Sequence, residues 1–351
     1  MTKKYRDARI DLMKFICAFL VLFLHTANLG KPYGNVIEDG VVRVLYYIVW
    51  SINPVEFFFI ASAYFLFKNS NGLSDGDYTK KIRRYIERLV VLYSFWSLLY
   101  LDSIFMPFFE ANNAKSLLFA LAKAFRRFFL IGSEGHMWYV LSLIYSLIIL
   151  KPFLNVTSNT KFKVRIAWGI SVALYVISLL GDSYFYILPS ECAFANLLDI
   201  LRKVLGSMYL LRGPLFIMIG YELAYSREQK MGVLSSLLLW LGLAIANNAE
   251  LYYIKSIDLG VQYSITILKP ITVYAFWKFI LKLKNPLLEH SSFFAKASTI
   301  MYFSHIFFRN YLINYFDDYF VVLTFVFGLC LLTMLLFVCL QKRFDWLKRV
   351  L

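Results

Sequence analysis

Repeatedly along this chain, about twenty residues pass with almost no charge. The stretch from Tyr319 to Leu340 holds no charged residue at all. A helix rises about 1.5 Å per residue, so such a run reaches across a hydrocarbon core about 30 Å thick. Hydrocarbon offers the backbone no hydrogen-bond partners, and runs of this length satisfy themselves as helices. With 60% of its 351 residues hydrophobic, the chain lacks the polar surface that a soluble domain of this size needs. The expected fold is all-α: a polytopic integral membrane protein of about ten transmembrane helices, with residues 1–351 forming a single membrane-embedded domain.

Spans are placed near 10–29, 44–67, 87–106, 136–154, 164–181, 213–225, 232–249, 262–281, 298–316 and 319–340. Two of them are irregular. Asn53-Pro54 predicts a kink or break in the second, and Gly213-Pro214 interrupts the sixth, which is short unless it begins back near Leu205. The charged start, Met1 to Arg9, precedes an apolar run that holds Asp11, Lys14 and His25, with no small-residue cleavage site after it. It reads as a retained first helix rather than a signal peptide. Ala114 to Leu130 is amphipathic and basic, as an interfacial helix would be, and Gly181 to Leu211 has room for another.

The net charge of +15 invites a nucleic-acid partner, but the distribution of the 37 Lys and Arg rejects it. They concentrate in alternate connections, above all Lys68 to Arg88 and Lys282 to Lys296. This is the positive-inside pattern. It predicts a multi-pass protein of a bacterial plasma membrane with both termini in the cytoplasm, its basic segments facing an anionic leaflet. The partner is then the lipid bilayer, with no nucleic acid. Nothing in the sequence signals an oligomeric state. Cys17, Cys192, Cys330 and Cys339 have no metal-binding spacing and read as packing residues, and no metal site is expected.

Ionisable groups within spans are costly unless paired or wetted, so they point to function. Lys14 and His25 lie eleven residues apart on one face of the first span, roughly 16 Å apart along its axis. His can act as base or proton carrier near neutrality. Asp11 sits three residues before Lys14 and suits a local ion pair. Arg84 and Arg88 share a face at the start of the third span and offer two planar forks to a polyphosphate, or simply anchor that end. His136 and Trp138 open the fourth span; a Trp at that depth usually belongs to the interfacial belt. His305 lies inside the ninth span, with Tyr302 a turn before it and Arg309 a turn after. A buried Arg309 calls for an anion, and Glu56, Asp102, Glu222 and Glu250 are available. His290 falls in a polar loop. This pattern fits a membrane enzyme or a transporter.

The run RIDLMKFICAFLVLFLH, Arg9 to His25, resembles the first helix of the membrane acyltransferase-3 family, in which a basic residue precedes a His by eleven positions. VEFFFIASAYFLF (Val55 to Phe67), HMWYVLSLI (His136 to Ile144) and TIMYFSHIFF (Thr299 to Phe308) are similar to further family segments in the same order. Two departures stand out. The family's Ser-Gly-Tyr is Ser62-Ala63-Tyr64 here, which questions the close backbone approach that the Gly allows. Its two arginines, usually three apart, become Arg84 and Arg88, with Tyr85 where the first would stand. The resemblance implies transfer of an acyl group, commonly acetyl, from cytoplasmic acyl-CoA to a hydroxyl of a carbohydrate or related acceptor at the far face. It implies that Lys14, Arg84 and Arg88 hold the CoA phosphates. His25 would be the base or transient acyl carrier, with His136 and His305 positioning the acceptor. Glu56, Ser62, Tyr64, Trp138, Tyr302 and Arg309 would line the path. LYVISLLGDSYF (Leu174 to Phe185) and GPLFIMIGYELAY (Gly213 to Tyr225) are similar instead to the membrane domain of vancomycin-resistance serine racemases. That resemblance implies passage of a small amino acid such as L-serine, which a broken second helix with Asn53, Pro54 and Glu56 would suit.

Overall fold

The computed structural model describes residues 6–27, 40–70, 73–154, 160–189, 191–206, 208–226, 231–284, 291–344 and 346–347. His290 and the end of the first expected span lie outside them. Among the described residues the regular structure is helical, in fourteen α-helices. These are α1 (Ala8–Ala27), α2 (Gly40–Ile52), α3 (Pro54–Lys68), α4 (Asp75–Ser97), α5 (Leu101–Phe109), α6 (Ala114–Arg126) and α7 (Trp138–Leu150). There follow α8 (Thr160–Leu180), α9 (Ala193–Leu205), α10 (Tyr209–Tyr225), α11 (Val233–Ser256), α12 (Lys269–Lys282), α13 (Ser291–Leu312) and α14 (Tyr319–Leu340).

Helix occupies most of each of the ten expected spans. Length and composition qualify six to cross a membrane: α1, α2 with α3, α4 with α5, α8, α11 and α14. The sharply bent pair α9 and α10 makes a seventh if it counts as one span. The shortfall from ten has physical reasons. α7 and α12 have only 13 and 14 residues, and α13 is diluted by Lys296, His305, Arg309 and several serines.

The chain divides into two compact units. The first comprises residues 1–58, 228–248 and 271–351. In it α1 packs along α13, and α14 packs on both. Phe15 meets Phe293, Phe294 and Phe327, and Phe19 meets Phe327 edge-on at 5.5 Å, an aromatic seam between these three helices. Arg9 joins a third strip of chain: it chelates Asp7 and donates to the carbonyls of Leu281 and Leu283 at 2.6 and 2.8 Å, capping the end of α12. The expected break falls between α2 and α3. Asn53 takes φ 54°, a left-handed conformation that Asn tolerates. Pro54 has no N–H for the Trp50 carbonyl. Asn247 donates to that carbonyl at 2.9 Å instead, and Trp240 donates to the Ser51 carbonyl at 3.1 Å. The break therefore leaves neither carbonyl orphaned.

The second unit comprises residues 59–227 and 249–270. α10 is its axis, packed along α7 on one side and α8 on the other. The expected interruption at Gly213-Pro214 does not occur: α10 runs through it from Tyr209. Pro214 cannot serve the Leu210 carbonyl, but the Ser142 hydroxyl of α7 reaches the carbonyls of Leu210 and Tyr209 at 3.3 and 3.1 Å. Gly213 lets this happen, since a Cβ there would lie 2.7 Å from Ser142 Oγ and 2.2 Å from Ser146 Oγ. The amphipathic stretch is helical as expected. An Asn113–Ser116 capping box starts α6, which exposes Leu117, Leu118, Phe119, Leu121 and Phe125. α9 is the second such helix, and Arg126 of α6 caps its end through the Val204 and Lys203 carbonyls.

Candidate functional site

The sequence-derived residues fall into two groups, one in each unit. In the first unit the rings of His25 on α1 and His305 on α13 face each other, centroids 5.2 Å apart. His305 Nδ1 lies 2.8 Å from the Met301 carbonyl. A carbonyl only accepts, so Nδ1 carries the hydrogen and, in the neutral ring, Nε2 carries the lone pair. Tyr302, a turn earlier, packs its ring 6.4 Å from His305 and edge-on to Phe58 of α3. Arg309 is an electrostatic neighbour of both histidines, and its Nη1 donates to Asn310 at 3.1 Å. On α1, below His25, Lys14 pairs with Asp11 at 2.6 Å. Asp11, nearly fully buried, also accepts from Ser291. The local ion pair expected for Asp11 is thus present. Glu56, buried in the first turn of α3, is an electrostatic neighbour of Cys17, two turns of α1 below His25. α1 therefore carries a cation, a site facing a carboxylate and an imidazole in ascending order along the helix.

In the second unit α3 meets α10 at Ala63. A Cβ on Gly220 would stand 2.6 Å from the Ala63 Cβ and 2.8 Å from the Ile60 carbonyl. The close approach that Ala63 put in question survives, because the missing glycine is supplied from the opposite helix. It seats Ser62 and the buried Tyr64. Ser62 Oγ lies 3.0 Å from the Tyr139 hydroxyl and also bonds Tyr85 of α4. Arg88 is an electrostatic neighbour of Tyr85. Tyr85 is half-buried on α4, while Arg84 and Arg88 are both exposed.

His136 is buried in the turn before α7, its ring 5.3 Å from Tyr100. Gly132, at φ 99°, folds this turn so tightly that a Cβ would strike the Trp138 amide at 2.7 Å. A polar set surrounds it: Ser97 Oγ and Ser133 Oγ lie 2.9 Å apart, Tyr93 Oη accepts from the Ser133 amide at 3.0 Å, and Ser103 donates to Glu134 at 2.8 Å. Trp138 is half-buried and stacks on Tyr209, centroids 4.6 Å apart.

Sequence reading passed over an almost wholly buried ion pair. Arg212 of α10 and Asp182, just beyond α8, pair with their side chains 3% and 0% exposed. Arg212 Nε donates to Ser178 at 3.2 Å and Nη2 to Ser264 at 2.6 Å, and the guanidinium lies 4.6 Å over the Tyr209 ring. Asp182 also accepts the Ser264 amide at 3.2 Å. Glu250 works beside it, accepting the amides of Ile267 and Leu268 at 2.5 and 2.9 Å and the Tyr184 hydroxyl. Burial, and then the Glu250 carboxylate, push the Tyr184 phenol up from its usual range, so it stays a donor. Two carboxylates thereby hold the non-helical stretch before α12. The signal was available in Asp182 and Arg212 themselves, each placed at the end of an apolar run, but their separation of 30 residues hides the pairing.

A family described as an acyltransferase domain matches residues 7–342. An amino-acid racemase of Enterococcus faecalis is 26% identical over 227 residues, covering 63% of this chain. The match spans 29% of the racemase, less than a third of its length. No solved structure matches the chain.

Proposed function

The chain belongs to the acyltransferase-3 family, and on that premise we propose a membrane O-acyltransferase that moves an acyl group, acetyl in the first instance, from acyl-CoA to a hydroxyl of a cell-envelope carbohydrate or related small acceptor. The observation that carries the reading is the facing pair His25 and His305. The acceptor oxygen attacks the thioester carbonyl, and a C–O bond forms as the C–S bond breaks. His25 takes the hydroxyl proton and returns it to the departing CoA sulfur, so the ring ends as it began. If His25 carries the acyl group transiently, the same proton balance holds in two steps. Arg309, the electrostatic neighbour of both rings, suits the charge that develops on the carbonyl oxygen, and His305, with the Nε2 lone pair left open, is proposed to position the acceptor hydroxyl. His136 serves to orient the acceptor. Lys14, Arg84 and Arg88 are each proposed as cations for the donor's phosphates. Glu56, Ser62, Tyr64, Trp138 and Tyr302 are proposed to line the path.

Transfer of label from acetyl-CoA, supplied to inside-out vesicles with an envelope extract as acceptor source, tests this. Wild type is expected to form labelled product or free acetate, and His25→Ala to lose about a hundredfold or more. Undiminished transfer by His25→Ala would remove the centre of the reading. One observation favours a second function, passage of a small amino acid such as L-serine: the similarity to an amino-acid racemase. Serine uptake in the same vesicles, without acyl transfer, would select it.

A further inference from the structure

In the second unit the first turn of α4 holds two buried polar atoms that lack a hydrogen-bond partner among the described residues. Tyr78 is 0% exposed, and its hydroxyl is one of them. Asp75 is half-buried, and its Oδ1 is the other. Such atoms are few in folded proteins, and each calls for an explanation. Three residues apart, the two side chains share a face of the helix. Long side chains on a helix lean toward its N-terminus, which carries the Tyr78 hydroxyl back toward the turn of Asp75. One turn thus offers a phenol donor beside a carboxylate acceptor. Aromatic rings flank it. Phe67 lies nearly parallel to the Tyr78 ring, centroids 6.5 Å apart, and meets Tyr221 edge-on at 5.1 Å. Tyr221 and Tyr225 are electrostatic neighbours of Tyr78. Tyr225 ends α10 and is exposed, and among the described residues its hydroxyl has no bond to lose when the ring turns aside. We propose that this turn binds the adenine base of the acyl-CoA donor, its 6-amino group donating to Asp75, an adjacent ring nitrogen accepting from Tyr78, and its face against Tyr225.

The charge pattern argues for a base here and not a phosphate. Asp75 turns an anion away, as do Asp77 in the same turn and Glu222, an electrostatic neighbour of Tyr221. A purely apolar ligand would leave both polar atoms without partners. Adenine carries a donor and an acceptor side by side on one edge, and a flat face that stacks on aromatic rings. The cations come further on. Lys81, Arg84 and Arg88 lie three, six and ten residues beyond Tyr78 on one flank of α4, about 4.5, 9 and 15 Å along its axis. The order along the helix is therefore the order along CoA: base at the acidic first turn, then phosphates, then the arm toward the bilayer. The start of α4 adjoins the basic connection that the positive-inside pattern assigns to the cytoplasm, where acyl-CoA is found. The inference rests on the acyl-CoA reading above and adds to it the seat of the donor's base.

Titration calorimetry of the purified full chain in detergent, with CoA and with a CoA analogue whose purine lacks the 6-amino group, tests it. Wild type is expected to bind CoA about tenfold more tightly than the analogue, since the analogue forfeits a hydrogen bond to a carboxylate. Asp75→Ala should bind the two alike. Tyr78→Phe should weaken CoA binding about fivefold, yet leave the unfolding midpoint without ligand undiminished, because the oxygen it removes has no partner in the protein itself. Equal binding of the two compounds by wild type would overturn the inference and leave the donor reading in place. So would full discrimination by Asp75→Ala, or a Tyr78→Phe chain that binds CoA as wild type does or unfolds more readily. No binding of CoA by wild type would remove the donor reading, and this seat for its base with it.

Discussion

The Arg212–Asp182 pair illustrates what one residue can commit a membrane protein to. Both side chains are nearly devoid of solvent, so neither charge is tolerable without the other. Arg212→Met leaves Asp182 facing only serine hydroxyls and amides, and breaking a buried pair this way costs about 3–5 kcal/mol. The unfolding midpoint in detergent should fall sharply. Replacing both, Arg212→Met with Asp182→Leu, removes the stranded charge and should recover much of the loss. A double variant no more stable than Arg212→Met would mean that the pair's bonds to Ser178 and Ser264, rather than its charges, hold the stretch before α12. At this scale the sequence was partly legible. His25, Lys14 and Asp11 stand on one helix, where spacing alone fixes their relation, and the Asp11–Lys14 pair forms as spacing required. His305 was visible as an intramembrane imidazole, but nothing local linked it to His25, 280 residues away. Arg212 was lost because its partner comes from another helix.

Elements show the same division between local and distant causes. The break at Asn53-Pro54 was readable because Asn and Pro dictate it themselves, and the donors from Trp240 and Asn247 only complete it. The continuous α10 was unreadable because the remedy for Pro214 comes from Ser142 on α7. Ser142→Ala should leave the Leu210 carbonyl buried without a donor, a cost of about 1–3 kcal/mol. Pro214→Ala in that background restores the helix's own N–H and should return the unfolding midpoint toward wild type; no recovery would mean that Ser142 acts through packing. The α3–α10 contact makes a parallel case. Gly220→Ala drives a methyl into Ala63 and into the Ile60 carbonyl, and overpacking of this kind costs about 1–3 kcal/mol. Ala63→Gly should rescue it in part, since the methyl clash goes and the carbonyl contact stays. Because Ser62 and Tyr64 flank the contact, acyl transfer should fall and recover with stability if they line the path. Full rescue, or none, would show that one of the two contacts carries the whole effect.

For the molecule as a whole, the composition fixed an all-helical membrane fold, and the basic connections fixed an expected orientation. Helix count was the weaker inference, because α7 and α12 are too short to read as spans and α13 is too polar. Those short or polar helices are also where His136 adjoins and His305 resides, so function and poor hydropathy coincide, as the cost of intramembrane ionisable groups leads one to expect. Orientation matters more to mechanism than count does, since it decides which face meets CoA. Two exposed positions sit at chain segments of opposite expected sidedness: Lys80 near the start of α4, and Gly135 in the turn beside His136. In a chain with Cys17, Cys192, Cys330 and Cys339 replaced by Ser or Ala, Gly135→Cys should react with a membrane-impermeant maleimide on intact cells. Lys80→Cys should react only after permeabilisation. The reverse result would put Arg84, Arg88 and the basic connection before them outside. No cytoplasmic CoA could then reach those arginines, and their proposed role would fail even if His25 proved essential. Labelling of both from one side would instead remove an odd number of crossings between residues 80 and 135. α4 with α5 would then re-enter the face it left, and the ten-span scheme would lose its third span.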